Sequence, residues 1–177
     1  LRGDVTSARA LVAGLLRDSA ASAHHARARE LDDAMRDVET AQREFELTRD
    51  EAPLQALLDA DQRVMVAAKM DKVMKGVGVV QRRASDVFGR RMYEAGRLAA
   101  DERDWPKACA LWKHGSLYTR ANIDLLKALT NVCTPRASEA FDSAERCDDL
   151  DKVKAYAVDG DGFAERADRT AAEWRCR

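Results

Sequence analysis

The sequence predicts an all-α fold, an elongated antiparallel helical bundle with two long helices and shorter C-terminal helices. Three observations carry this expectation. Helix breakers are scarce, with 9 Gly and 3 Pro in 177 residues. Helix formers are abundant, including 32 Ala, and Ala, Leu, Arg and Glu cost least in a helix interior. Apolar residues recur at spacings of three and four, the helical period, rather than two.

The first helix is expected over 5–50. Asp4 and Thr6 are N-cap candidates, and no proline follows until Pro53. Val12, Leu16, Ser19, Ala23 and Ala26 keep a 4-3 spacing, and Leu31, Met35, Val38, Gln42 and Phe45 resume it after a skip of five. This is coiled-coil-like periodicity with one phase break. Some 45 helical residues would reach about 70 Å, too long for a compact globule of this size. Asp50-Glu51-Ala52-Pro53 interrupts the pattern. A second long helix, 54–103, then carries Leu54, Leu57, Val64, Ala68, Met74, Val77, Ala84, Val87, Ala95 and Leu98 at its apolar positions. Two helices of matched length about a short break predict an antiparallel hairpin.

Asp104-Trp105-Pro106 marks the next break, with Pro106 at a helix start. A third helix is expected to about Val132, bent at Gly115-Ser116. Thr134-Pro135 reads as another helix start, and Ala140, Phe141, Ala144, Cys147, Leu150 and Val153 share one face of the fourth helix. A short fifth helix carries Phe163, Ala167, Ala171 and Trp174. Of ten aromatic residues, nine lie at or beyond Phe88, so 106–177 reads as a wider, aromatic portion of one extended domain covering 1–177.

All four cysteines, Cys109, Cys133, Cys147 and Cys176, also lie late. They form no CxxC pair and have no His at zinc-ligand spacing. An even count in one half of a small chain points to two disulfides and an oxidising compartment rather than to buried free thiols. Cys147 precedes Asp161 by 14 residues and Cys176 follows Gly162 by 14. A helix–turn–helix about this point brings them level, so Cys147–Cys176 is the favoured pair. It requires the last helix to end before 176. Cys109 and Cys133 would stand about 36 Å apart on an unbroken helix, far beyond disulfide reach. Either that helix breaks, at Gly115, or the connectivity differs.

Asp159-Gly160-Asp161-Gly162-Phe163 resembles the centre of an EF-hand loop. With Asp159 at loop position 3, position 1 is Ala157 and position 12 is Asp168, where the loop needs Asp and a bidentate Glu. A turn explains the stretch better, with Gly160 left-handed after one helix and Asp161 capping the next. Arg2-Gly3-Asp4 is an integrin-type tripeptide that reads as a chance match before a helix. Gly76-Val77-Gly78 lacks the strand and third glycine of a dinucleotide fingerprint. His24 and His25 point about 100° apart on a helix, and His114 is isolated. Arg82, Arg83, Arg90, Arg91 and Arg97 are interrupted by Asp86, Glu94 and Asp101, which reads as a salt-bridged face. No nucleophile constellation, cofactor motif or metal motif stands out, so catalytic, cofactor and metal residues are expected to be none.

The long Ala-rich antiparallel pair, the helix after Trp105-Pro106 and the late paired cysteines resemble the helical-bundle ectodomains of trypanosome surface proteins. That group comprises glutamic-acid/alanine-rich and alanine-rich coat proteins and the haptoglobin–haemoglobin receptor. The resemblance implies an extracellular, cell-surface protein held by a C-terminal lipid anchor outside this chain. Such a protein acts without enzymatic activity as a coat, adhesion or host-molecule-binding module.

Charge agrees with a protein or host macromolecule as partner. The 30 basic and 31 acidic residues are interspersed and sum to -1, which gives no basic field for nucleic acid. No apolar run approaches the roughly 20 residues of a membrane span. There is no Asn-x-Ser/Thr glycosylation site, only the rarer Asn131-Val132-Cys133 variant. A homo-oligomer fits the coiled-coil periodicity, and the alternative reading is an intracellular coiled-coil scaffold with free cysteines.

Overall fold

The computed structural model describes residues 2–18, 24–68, 71–119 and 122–176, with their side chains except those of 2–4, 6, 68 and 71–81. The fold is all-α, and no strand occurs among the described residues. The chain divides into two compact units, Leu1–Phe88 and Gly89–Arg177.

In the first unit, the helix expected over 5–50 is two helices, α1 (Arg2–Arg17) and α2 (His25–Thr48). Arg9 of α1 reaches Asp32 at 3.0 Å and Glu39 on α2, which places the two helices side by side. A single long helix would leave the apolar positions of α1 in water. Folding back buries Val5 to 4% exposure, and the phase skip before Leu31 falls where the second stretch must face new neighbours. The Arg9 guanidinium is held more firmly protonated by Asp32 and Glu39.

α2 ends with Arg49 in the left-handed region (φ 59°), its N–H donating to Phe45 O at 2.8 Å. Asp50 N–H is held by Thr48 Oγ1, and α3 (Glu51–Ala68) begins at once. Pro53 therefore lies in the first turn of α3, where no intrahelical donor is needed. The Arg27 guanidinium donates to Ala67 O, and Arg63 pairs with Asp37 at 2.8 Å. These contacts fix α2 and α3 as antiparallel. Met35, Val38 and Phe45 meet Leu54, Leu57 and Val64, each no more than 2% exposed. The expected 54–103 helix is described as α3 and α4 (Asp71–Asp101), with 69–70 outside the described residues.

In the second unit, α4 from Gly89 onward packs on α5 (Trp105–Tyr118). The crossing is tight because glycines line it. A Cβ on Gly96 would collide with the Trp112 ring, and one on Gly115 would lie 2.8 Å from Met92 Cβ. Trp112 Nε1 donates to Tyr93 O at 3.1 Å. Asp104 caps α5, accepting from Lys107 N, with Pro106 in its first turn.

The chain turns at Thr119, whose backbone is extended (φ -140°, ψ 112°). Asn122 then caps α6 (Ile123–Ala128) through Asp124 N and Leu125 N. The break thus comes after Tyr118, not at Gly115, which packs inside α5. From α6 the helix continues through a π turn, Leu129–Cys133, into α7 (Thr134–Asp142). Thr134-Pro135, expected to start a helix, sits within a continuous one. Pro135 has no N–H, and its ring would clash with the carbonyl four residues back. The wider π turn relieves this, with Thr134 N–H reaching Leu129 O.

The expected fourth helix is also two, α7 and α8 (Cys147–Tyr156). The Asp149 carboxylate accepts from Glu145 N and Arg146 N at the start of α8, and its bond from Lys152, with these backbone bonds, holds its pKa down. The last helix is α9 (Phe163–Glu173).

Candidate functional site

The four cysteines form two bridges, Cys109–Cys133 and Cys147–Cys176, with Cα–Cα distances of 5.8 and 5.6 Å. The first lies within a core of Ala99, Ala108, Trp112, Leu125, Ala128 and Leu129. It forms because α6 packs back along α5, and the π turn carries Cys133 to the face that meets Cys109. The second closes the α8–α9 pair over Leu150, Val153 and Ala167. α9 stops at Glu173, and Arg175 adopts a left-handed conformation (φ 56°), with Cys176 N donating to Ala171 O at 2.9 Å. That early stop turns Cys176 toward Cys147.

Between α8 and α9, Gly160 and Gly162 take φ of 87° and 77°. Asp161 Oδ2 accepts from Val158 N at 2.8 Å and Thr134 Oγ1 at 3.4 Å, and Oδ1 accepts from Phe163 N at 3.0 Å. Its carboxylate therefore ties together the turn, the start of α9 and α7. Asp168 pairs with Lys154 at 2.7 Å. Among the described residues, no group of three His, Cys, Asp or Glu side chains converges as a metal site.

The Lys113 amine, not singled out by the sequence, reaches from α5 to Ala155 O at 2.8 Å, near the end of α8. A cation there suits the helix dipole. Burial pulls its pKa down, against Asp159 and Asp161, which pull it up. Arg136 lies over the Trp105 ring at 3.7 Å, and Arg166 over Phe141 at 4.2 Å.

The remaining sequence candidates stand apart from one another. His25 Nε2 lies 2.9 Å from Asp18 O, and His114 packs edge-on to Tyr118 at 5.7 Å. Arg97 bridges Glu94 at 3.1 Å and Asp101 at 3.6 Å along α4. The side chains of Arg2, Asp4 and Val77 lie outside the described residues.

One surface was missed at the sequence level, a groove of about 730 Å³ between α2 and α3. Glu30, Asp33, Ala34 and Asp37 form one wall, and Asp59, Gln62, Arg63 and Val66 the other. Both walls follow the spacing i, i+3, i+4, i+7, one helical face each. A second hollow of about 430 Å³ shares Glu30 and Val66 and adds Ala26, Arg27 and Ala67. The signal was present as two mirrored stripes, but it becomes visible only once the hairpin register is known.

Compared with known protein families, curated proteins and solved structures, the chain matches none.

Proposed function

We propose that this chain is a non-enzymatic, extracellular binding module, part of a cell-surface protein serving as coat, adhesion or host-molecule-binding element. The observation that carries the reading is the pair of disulfides in Gly89–Arg177. Both bridges are compatible with an extracellular protein, since such bonds persist in oxidising compartments and are rare in reducing ones. No helix among the described residues is long and apolar enough to cross a membrane. Attachment in this reading rests on a lipid anchor carried by a segment beyond this chain.

Within this class, the likeness to trypanosome surface helical-bundle proteins drew on two unbroken long helices. Since α1 folds back on α2, the proposal leans on the disulfides instead. The test is surface labelling of intact cells that make the protein, followed by non-reducing peptide mapping. Labelled protein carrying both bridges is expected. Recovery only in the unlabelled fraction, with four free thiols, would replace this reading with that of an intracellular helical scaffold.

A further inference from the structure

The α2–α3 groove has the size, shape and charge of a docking site. Its walls are two antiparallel helical faces in register. Glu30 lies across from Val66, and Asp37 from Asp59 and Arg63. With the adjoining hollow it extends along α2 from Ala26 to Asp37, about 16 Å at 1.5 Å per residue. That matches a helix of two to three turns. The apolar part of the lining is small, with Ala34 buried in one wall and Val66, 65% exposed, on the rim of the other. Small residues let a third helix approach at the usual 8–10 Å axis spacing.

The charge selects the occupant. Among the described residues, Glu30, Asp33, Asp37 and Asp59 outnumber the two cations along the combined groove. These are Arg63, paired with Asp37 at 2.8 Å, and Arg27, whose guanidinium donates to Ala67 O; Asp33 also meets Arg36 at 3.7 Å. The carboxylates are strung along the groove rather than converging, and they form no metal-type cluster. This suits a ligand whose positive charges are themselves spaced along a rod. A nucleic acid backbone would be repelled.

We propose that this groove docks a basic amphipathic helix of a partner protein. Its Lys and Arg side chains lie against Glu30, Asp33, Asp37 and Asp59, and its small apolar face lies on Ala34 and Val66. The proposal deepens the binding reading above and rests on it for the partner being a protein.

The test uses the whole, disulfide-bonded chain to select from a displayed library of 18-residue helical peptides. Selection runs in parallel on a Glu30→Gln/Asp33→Asn/Asp59→Asn variant and on the single variant Asp33→Asn, both checked by circular dichroism. The Asp33 side chain is 72% exposed, so the single variant tests the groove if the triple variant misfolds. Enriched peptides should carry Lys or Arg at three- and four-residue spacing. They should bind the triple variant about tenfold more weakly, the single variant about two- to threefold more weakly, and the native chain less well at high salt.

Enrichment of uncharged or acidic peptides would overturn the proposal, as would equal binding to all three proteins or no enrichment at all. A concentration-dependent dimer in sedimentation, lost in the variants, would also overturn it and assign the groove to a second copy. None of these outcomes alters the surface labelling and disulfide mapping, so the broader reading stands or falls separately.

Discussion

Asp61 shows how one residue can work against its own fold. It occupies a core-facing position of α3 between Leu57 and Val64, is only 2% exposed, and its Oδ1 has no hydrogen-bond partner. Burial pushes its carboxyl pKa above the ordinary 3.8. The folded state therefore holds the proton more tightly than the unfolded chain. The stability this contributes is full below about 3.8 and is lost as pH rises through the raised folded value. Asp61→Asn should stabilise Leu1–Phe88 by about 1–2 kcal/mol at pH 7 and flatten the pH dependence. Urea denaturation across pH 4–7 checks both. A variant as pH-dependent as the native chain would remove Asp61 from the account. At Gly96 the sign is opposite. A methyl group there meets the Trp112 ring and strains its bond to Tyr93 O. Gly96→Ala should cost about 1–3 kcal/mol by thermal melting, whereas alanine at the exposed Gly14, with nothing within 4 Å of its Cβ position, should be neutral or stabilising. The sequence displays both glycines alike, and only the crossing of α4 on α5 separates them.

At the scale of elements, the chain announced its helices more clearly than their ends. Asp104 with Pro106 carries a local signal whose chemistry is self-contained, and the structure uses it at that place. Gly160 is left-handed as expected, but α8 already ends at Tyr156, so Gly160 does not close it. The cap position of α9 is Gly162, with Asp161 one residue earlier holding Phe163 N–H. The separation of α1 from α2 and the break at 143–146 depend on what each face must bury, which periodicity alone does not state. Thr119 was overlooked although Asn122, three residues before the buried Leu125, is a strong cap. Gly115 attracted the break because glycine reads as a breaker, yet here it serves helix contact. The two bridges differ in access as well. Cys109 and Cys133 are fully buried, while Cys147 and Cys176 are half-buried. Limited reduction followed by alkylation and mass mapping should therefore label Cys147 and Cys176 first. Simultaneous labelling of all four would show that the core around Trp112 opens as readily as the α8–α9 turn. Within that turn, Asp161→Ala removes acceptors for two backbone N–H groups and should destabilise Gly89–Arg177 by about 1–2 kcal/mol. Asp161→Asn should recover part of the loss.

For the whole molecule, the distribution of covalent bonds matters more than composition. Both bridges lie in Gly89–Arg177, and the core of α2 and α3 contains no cysteine. Each bridge closes a loop of 24 or 29 residues in sequence separation, which by chain entropy stabilises by about 3–4 kcal/mol. Full reduction should accelerate hydrogen exchange across α5–α9 while α2 and α3 keep most of their protection. Uniform acceleration across the chain would contradict this. The all-α class and the aromatic, cysteine-bearing C-terminal half were legible from the sequence because they follow from residue counts and spacing. The α2–α3 groove was not, because its two walls are 22–36 residues apart and acquire meaning only when the turn at Arg49 sets them face to face.

The order of the bridges along the chain has a consequence for how the protein is made. They are consecutive, 109 with 133 and then 147 with 176, and do not interleave. During synthesis Cys133 is the first cysteine that Cys109 can meet, and once that bridge has closed Cys176 is the first that Cys147 can meet. Cys133 precedes Cys147 by 14 residues, a head start of about 1–3 s at ordinary elongation rates. Oxidation can proceed vectorially, with little call for reshuffling by an isomerase, and the nascent chain becomes resistant to mispairing as it lengthens.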